Sequence, residues 1–299
     1  MTRRGLVLFI AMSVIWGIPY LLIRIAVGEL SPATLVFLRT AIAALILLPI
    51  AITRGGLRPL VGRWVPLVAF AAIEVGIPWL ALAHAEQRIS SSLAGLLISA
   101  VPLVGTVIAF ATGNRDRIGL VSVAGLLLGL AGVAAIVGFV LHASDPIALV
   151  VVGIVVVGYA TGPAILSRYL SGLSAVGVNA VSLALCALVY APVAAAQWPS
   201  SVPHPAVLAS VAVLAIVCTA LAFLLFFALI AEVGPVRATV ITYINPAVAA
   251  VLGIAVLGES FTLGMGIGFI LVLLGSTLAT RRRPAAAAPL TAPRSEAGR

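Results

Sequence analysis

The sequence predicts an all-α polytopic membrane protein with ten transmembrane helices, arranged as two inverted five-helix repeats. Three observations carry that expectation. First, 63% of the 299 residues are hydrophobic and only 8% are charged, against roughly 45–50% and about 25% in a soluble domain. Second, the apolar runs are about 20 residues long, the length that crosses a bilayer's hydrocarbon core. Third, landmarks in the first half return in the second at a nearly constant offset.

Hydropathy windows of roughly 19 residues, broken at charges, prolines and glycine clusters, place spans near 6–27, 33–52, 64–84, 91–111, 118–140, 147–167, 174–194, 206–230, 237–257 and 262–280. Thr2-Arg3-Arg4 ahead of Gly5–Ala26 imitates a signal peptide. Its apolar stretch is too long for one, and nine comparable stretches follow, so it reads as the first span. All 17 basic residues are Arg. With a cytoplasmic N-terminus, 14 of them fall on inside segments, among them Arg54, Arg58, Arg63, Arg115, Arg117, Arg168 and Arg237. The outside loops then hold Glu29, His84, Glu86, Arg88, His142, Asp145, His204 and Glu259. The positive-inside rule therefore puts both termini in the cytoplasm. Residues 281–299 open on Arg281-Arg282-Arg283 and continue in Pro, Ala and polar residues, which predicts a disordered cytoplasmic tail.

Trp16 and Tyr159, Ser31 and Ser174, Gly125 and Gly268, and Gly132 and Gly275 each differ by 143, while Pro102 and Pro246 differ by 144. The offset divides the chain into repeats at 1–143 and 144–280. Because five is odd, the second repeat enters the membrane from the opposite side, the arrangement that underlies alternating access. Pro102 and Pro246 fall halfway along spans four and nine. Each removes a helical hydrogen bond, and matched interruptions point to a binding site at the midplane. Ser99, Thr106, Thr239, Thr242, Tyr243 and Asn245 surround them. Asn245 is costly to leave facing lipid; an interhelical hydrogen bond would account for it as well as a ligand would.

Three charges lie within spans: Arg24, Arg39 and Glu74. Charges at such depth are functional candidates by default. By depth Glu74 could pair with Arg39. Glu74 reads as a proton or cationic-substrate site, Arg39 as the partner of an anionic group, and the two together as a buried structural pair. Trp16, Tyr20, Trp79, Tyr159 and Tyr243 could wall an organic substrate, whereas Trp64 and Trp198, at span ends, read as interfacial anchors. Gly125-x-x-x-Gly129 and Gly264-x-x-x-Gly268 are close-packing signatures. They favour packing within one chain and leave a homodimer open.

Other classes find little support. Cys186 and Cys218 both lie in apolar runs, so neither a disulfide framework nor a Cys-based metal site is expected. A charge of +9 without basic and aromatic residues interleaved on a soluble face does not read as nucleic-acid binding. No nucleophile–base or His-metal pattern marks a membrane hydrolase, and no G-x-x-x-x-G-K-[ST] marks ATP hydrolysis. Neither an enzyme nor a cofactor is expected.

Ala220-Leu221-Ala222-Phe223, Asn245-Pro246-Ala247-Val248-Ala249-Ala250, Leu257-Gly258-Glu259 and Gly268…Gly275, joined in the first half by Trp16-Gly17, Ser31-Pro32, Arg39 and Pro102, resemble EamA-type proteins of the drug/metabolite transporter superfamily over about residues 6–280. The resemblance implies a central cavity built by helices 1–4 and 6–9, and transport, often export, of amino acids or other small metabolites. It departs at Gly113-Asn114-Arg115, where the family often repeats the Leu-Gly-Glu pattern. The expectation is a secondary exporter of small organic metabolites in a bacterial plasma (inner) membrane, with proton coupling as one reading of Glu74. A lipid-moving or scaffold protein is the alternative.

Overall fold

Apolar helices make up nearly all of the computed structural model, which describes residues 2–111, 120–140 and 145–280. In chain order these are α1 (Arg3–Ala26), α2 (Pro32–Thr53), α3 (Arg58–Glu86), α4 (Ser91–Ala111), α5 (Leu120–Gly138), α6 (Pro146–Tyr169), α7 (Ala175–Ala196), α8 (Pro205–Val233), α9 (Thr239–Leu257) and α10 (Leu263–Ala279). Among the described residues, α1 to α9 are long and apolar enough to cross a membrane, and no strand occurs. With 17 residues, α10 is shorter, about 25 Å at 1.5 Å per residue. The Arg115–Arg117 segment, the Gly113-Asn114-Arg115 departure and the 281–299 tail lie outside the described residues.

Polar caps set where the helices start. Ser31 and Ser174 accept from the N–H groups of Thr34 and Gly177 at the starts of α2 and α7. Asp145 and His204 do the same for α6 and α8, each followed by a proline whose missing N–H costs nothing at the first helical position.

Several helices are irregular inside. α1 is interrupted at Trp16–Ile18 ahead of Pro19, and α4 at Ser99–Ala100 ahead of Pro102. α9 opens as a 3-10 turn over Thr239–Tyr243 and becomes α-helical only from Asn245-Pro246. α3 and α8, both 29 residues long, each carry a six-residue π-helical segment, Ala71–Gly76 and Ile216–Leu221. No periodicity in the sequence marks these wider turns, which concentrate at functional positions.

The helices pack as five antiparallel pairs, α1 with α8, α2 with α7, α3 with α6, α4 with α9 and α5 with α10. Side chains tie the pairs at their ends. Thr2 donates to Glu232, and Glu29 accepts from the His204 N–H at 2.8 Å, joining opposite ends of α1 and α8. Arg63 donates to the Tyr169 carbonyl at 2.8 Å and Arg88 pairs with Asp145 at 2.7 Å, joining α3 to α6. In the α5–α10 pair the backbones themselves meet: a methyl on Gly125, Gly132, Gly268 or Gly275 would press into the opposite helix. Gly125 and Gly268 of the two close-packing signatures are therefore used within the chain.

Candidate functional site

Arg39 lies on α2 at 7% exposure. Its Nε donates to Thr219 Oγ1 at 2.9 Å, and its guanidinium stacks 3.6 Å from the centroid of the Trp79 ring. The Thr219 hydroxyl sits in the π segment of α8 and donates to the Leu214 carbonyl at 2.7 Å, which leaves its lone pair facing Arg39. Tyr159 on α6 packs against the buried cluster that holds the Trp79 ring. Tyr20, Tyr159, Cys218 and Glu86 all lie within electrostatic reach of the guanidinium. Five helices, α1, α2, α3, α6 and α8, thus supply one buried polar cluster.

Glu74 does not pair with Arg39. The ion pair between described residues is Arg88–Asp145, at the periphery. Glu74 lies in the π segment of α3, and a methyl on Gly162 of α6 would overlap its carboxylate. Gly158, one turn earlier, receives the Ile73 carbonyl in the same way. Gly158-x-x-x-Gly162 is thus the groove that accepts the widened turn, and Glu74 Oε2 is buried in it without a hydrogen bond. The two-glycine spacing is legible in the sequence; its partner is not. On the other side α7 steadies the same segment: Cys186 Sγ donates to the Ala71 carbonyl at 3.4 Å and Tyr190 Oη to that of Gly76 at 3.1 Å. Cys186 is therefore a donor to a distorted helix as well as a packing residue.

The remaining candidates lie elsewhere. The Asn245 amide nitrogen donates to the carbonyls of Ser13 at 3.0 Å and Ile241 at 2.8 Å, so it staples the start of the α-helical part of α9 to the break in α1. Gly17 completes that contact, since a side chain there would strike Val248 and the Asn245 carbonyl. Trp16 packs on Phe223 and Phe226 of α8, with ring centroids at 6.1 and 4.7 Å. Tyr243 is half-buried in the 3-10 turn, where Thr242 donates to the Thr239 carbonyl. Ser99 is buried and donates to Leu96 in its own helix. The structure thus gathers Tyr20, Arg39, Trp79 and Tyr159, sets Glu74 at their margin, and separates Trp16, Ser99, Tyr243 and Asn245 from them. Trp64 and Trp198 are both exposed.

Two acids lie at the end of the molecule opposite Thr2. Glu86, expected in an external loop, is the last residue of α3 and fully buried. The extra turn of α3 carries it inward, where Arg24 donates to its backbone carbonyl. Glu259 accepts from the N–H and hydroxyl groups of both Ser91 and Ser92 at 2.5–3.0 Å. Burial pushes its carboxyl up, but these four donors at a helix N-terminus outweigh it and hold the group below the ordinary carboxylate range. Gly258 makes this possible: its left-handed backbone (φ 66°) ends α9 and turns Glu259 back toward α4.

Two cavities open on the flanks, about 490 Å³ between α4, α5 and α6 and about 310 Å³ between α3, α6 and α7. Both are predominantly apolar, and neither is lined by Arg39 or Glu74. Among the described residues no group of three or more His, Cys, Asp or Glu could hold a metal ion.

A bundle of long apolar helices around a buried Arg, two buried acids and interrupted helices defines a multi-pass α-helical membrane protein of transporter type. The chain belongs to the EamA-like transporter family, which matches it twice, over residues 3–138 and 146–281. It is 27% identical over 281 residues, 90% of each chain, to the uncharacterized inner membrane transporter YedA of Escherichia coli strain K12, and equally to YedA of strain CFT073 and of Escherichia coli O157:H7. A solved crystal structure shares the fold with a TM-score of 0.66 at 21% identity, covering 92% of this chain and 96% of that one. The protein is a membrane transporter of the drug/metabolite type.

Proposed function

We propose that this protein is a secondary carrier that exports amino acids or related small organic metabolites by alternating access, with Arg39 binding the substrate's anionic group. The observation that carries this reading is the state of Arg39. It is buried among aromatic rings, its Nε is committed to Thr219, and among the described residues its two terminal nitrogens take no hydrogen bond. A buried guanidinium whose two terminal nitrogens are unused suits a carboxylate. Glu74, across Tyr159 from Arg39, is the counterpart for a cationic group or a proton.

The helix pairing supports ten spans in two inverted repeats, residues 1–143 and 144–280. Exchanging the first five helices for the second five returns α2·α7, α4·α9 and α5·α10 to themselves and turns α1·α8 into α6·α3. Packing along α4 and α9 is uneven. Ser91–Ile98 is buried throughout, whereas Leu103 is the buried residue of Val101–Ala111. In α9, Asn245, Pro246, Ala249, Ala250 and Gly253 are buried, but only Ile241 within the 3-10 turn. The Glu259 end is closed while the arginine-rich end is looser, as one state of an alternating cycle requires. The arginine distribution supports a cytoplasmic side for that looser end and for both termini, in a bacterial inner membrane.

The test is flux in proteoliposomes across a panel of amino acids and other metabolites, with acid inside or outside, repeated for Glu74→Gln and Arg39→Lys. Saturable flux of a water-soluble solute, weakened by Arg39→Lys, is expected. Lipid movement without solute flux would replace this reading with that of a lipid-moving protein, for which the apolar groove between α4, α5 and α6 is the supporting feature.

A further inference from the structure

Glu86 is used by nothing described so far. Its residue exposure is 0%, and both carboxylate oxygens are buried without a hydrogen-bond partner. Arg24 donates one guanidinium N–H to the Glu86 backbone carbonyl and none to the carboxylate. The groups that face it electrostatically are Arg24 and Tyr20 of α1, Arg39 of α2, Tyr159 of α6 and Glu259 after α9. An ionised carboxylate so placed is shut off from bulk solvent and has no hydrogen-bond donor among the described residues, which is costly in a low-dielectric interior. With no metal-holding group among the described residues, the ligand that neutralises a lone carboxyl is a proton.

We propose that Glu86 is a proton-binding site coupled to closure of the Glu259 end. When α1, α3 and α4 close around it, the carboxylate takes one proton from water at that end. When they part, the O–H bond breaks, the proton returns to the same water and the carboxylate regains its solvation. This rests on the alternating-access reading and gives its closed end a pH-dependent latch. Glu259 titrates with the opposite consequence: as a carboxylate it clamps Ser91 and Ser92, so its protonation loosens the end that protonation of Glu86 closes.

The two can be separated without any substrate. Amide hydrogen exchange over Ser91–Ile98, corrected for intrinsic rates, reads closure directly in the reconstituted protein. One linked proton shifts the closed-to-open ratio by up to about tenfold per pH unit. Protection is expected to rise as the pH is lowered from the alkaline to the mildly acidic side, and to become flat in Glu86→Gln. Should that variant fold poorly, Glu86→Leu gives the same test. His84 and His204 lie at this end and are exposed, so a His84→Gln/His204→Gln variant is run beside it and is expected to keep the response. A wild type without pH response, a response that survives in Glu86→Gln, or one abolished in the histidine variant overturns the proposal. Absence of flux in the wild type would instead count against the carrier reading, so the two failures are distinct.

Discussion

At the scale of single residues, Arg39 has two features that lysine cannot reproduce: a planar face on Trp79 and an Nε donor aimed at Thr219 Oγ1. Hydrogen bonds to charged groups contribute about 1.5–3 kcal/mol. Arg39→Lys is therefore expected to raise the substrate KM roughly ten- to hundredfold, and Thr219→Val to reproduce part of that loss, both read from flux kinetics. Asn245 makes the contrasting case. Its amide is consumed by the carbonyls of Ser13 and Ile241, and membrane hydrogen bonds average about 0.6 kcal/mol. Asn245→Ala should lower stability by about 1 kcal/mol in detergent melting and leave KM within about twofold.

Glu259 carries a pH prediction at the same scale. Its carboxyl is held below the ordinary range by Ser91 and Ser92 after burial has pushed it up. A depressed folded-state value means that its stabilisation is complete above the ordinary carboxylate pKa and is lost as pH falls through the folded value. Melting temperatures at neutral and acid pH should show the wild type losing more stability on acidification than Glu259→Gln. Equal losses would remove the clamp from the account.

At the scale of elements, the π segments of α3 and α8 are held laterally by other helices. Gly158 and Gly162 receive Ile73 and Glu74, Cys186 and Tyr190 hold the carbonyls of Ala71 and Gly76, and Arg39 engages Thr219. Gly162→Ala would drive a methyl into the Glu74 carboxylate, and overpacking of this kind costs about 1–3 kcal/mol. Its melting temperature should fall, and Glu74→Ala in the same chain should restore much of the loss by clearing the space. The α5–α10 pair responds differently. Gly132 meets the backbone at Gly268, which cannot move aside, so Gly132→Ala should lower stability with no second-site side-chain rescue.

At the scale of the whole molecule, the distribution of arginines predicts which surfaces face which compartment. Gln87, at the Glu259 end, and Gly62, at the arginine-rich end, are both exposed. With the arginines inside, Gln87→Cys should react with a membrane-impermeant maleimide on intact cells, and Gly62→Cys only after lysis. The reverse pattern would invert the topology. It would leave the helix packing untouched, because the pairing does not depend on orientation.

Much of this architecture was legible beforehand, for a physical reason. Hydrocarbon forces every backbone group into internal hydrogen bonds, so spans, their caps and their proline breaks are written locally: Ser31 and Ser174 at helix starts, Pro102 and Asn245-Pro246 at interruptions. The charge of a site is local too, which is why Arg39 and Glu74 stood out from an apolar background. Partnership is not local. Whether Arg39 meets Glu74 or Thr219, whether Asn245 is spent on backbone, and whether Glu86 lies in a loop or in the core depend on how helices more than a hundred residues apart pack, and on π turns that no sequence period announces. The sequence determined a many-spanned membrane protein with an offset repeat and charges at depth. The tertiary structure decided which of those charges are satisfied and which are left unpartnered, because only packing removes water and donors from a particular carboxylate.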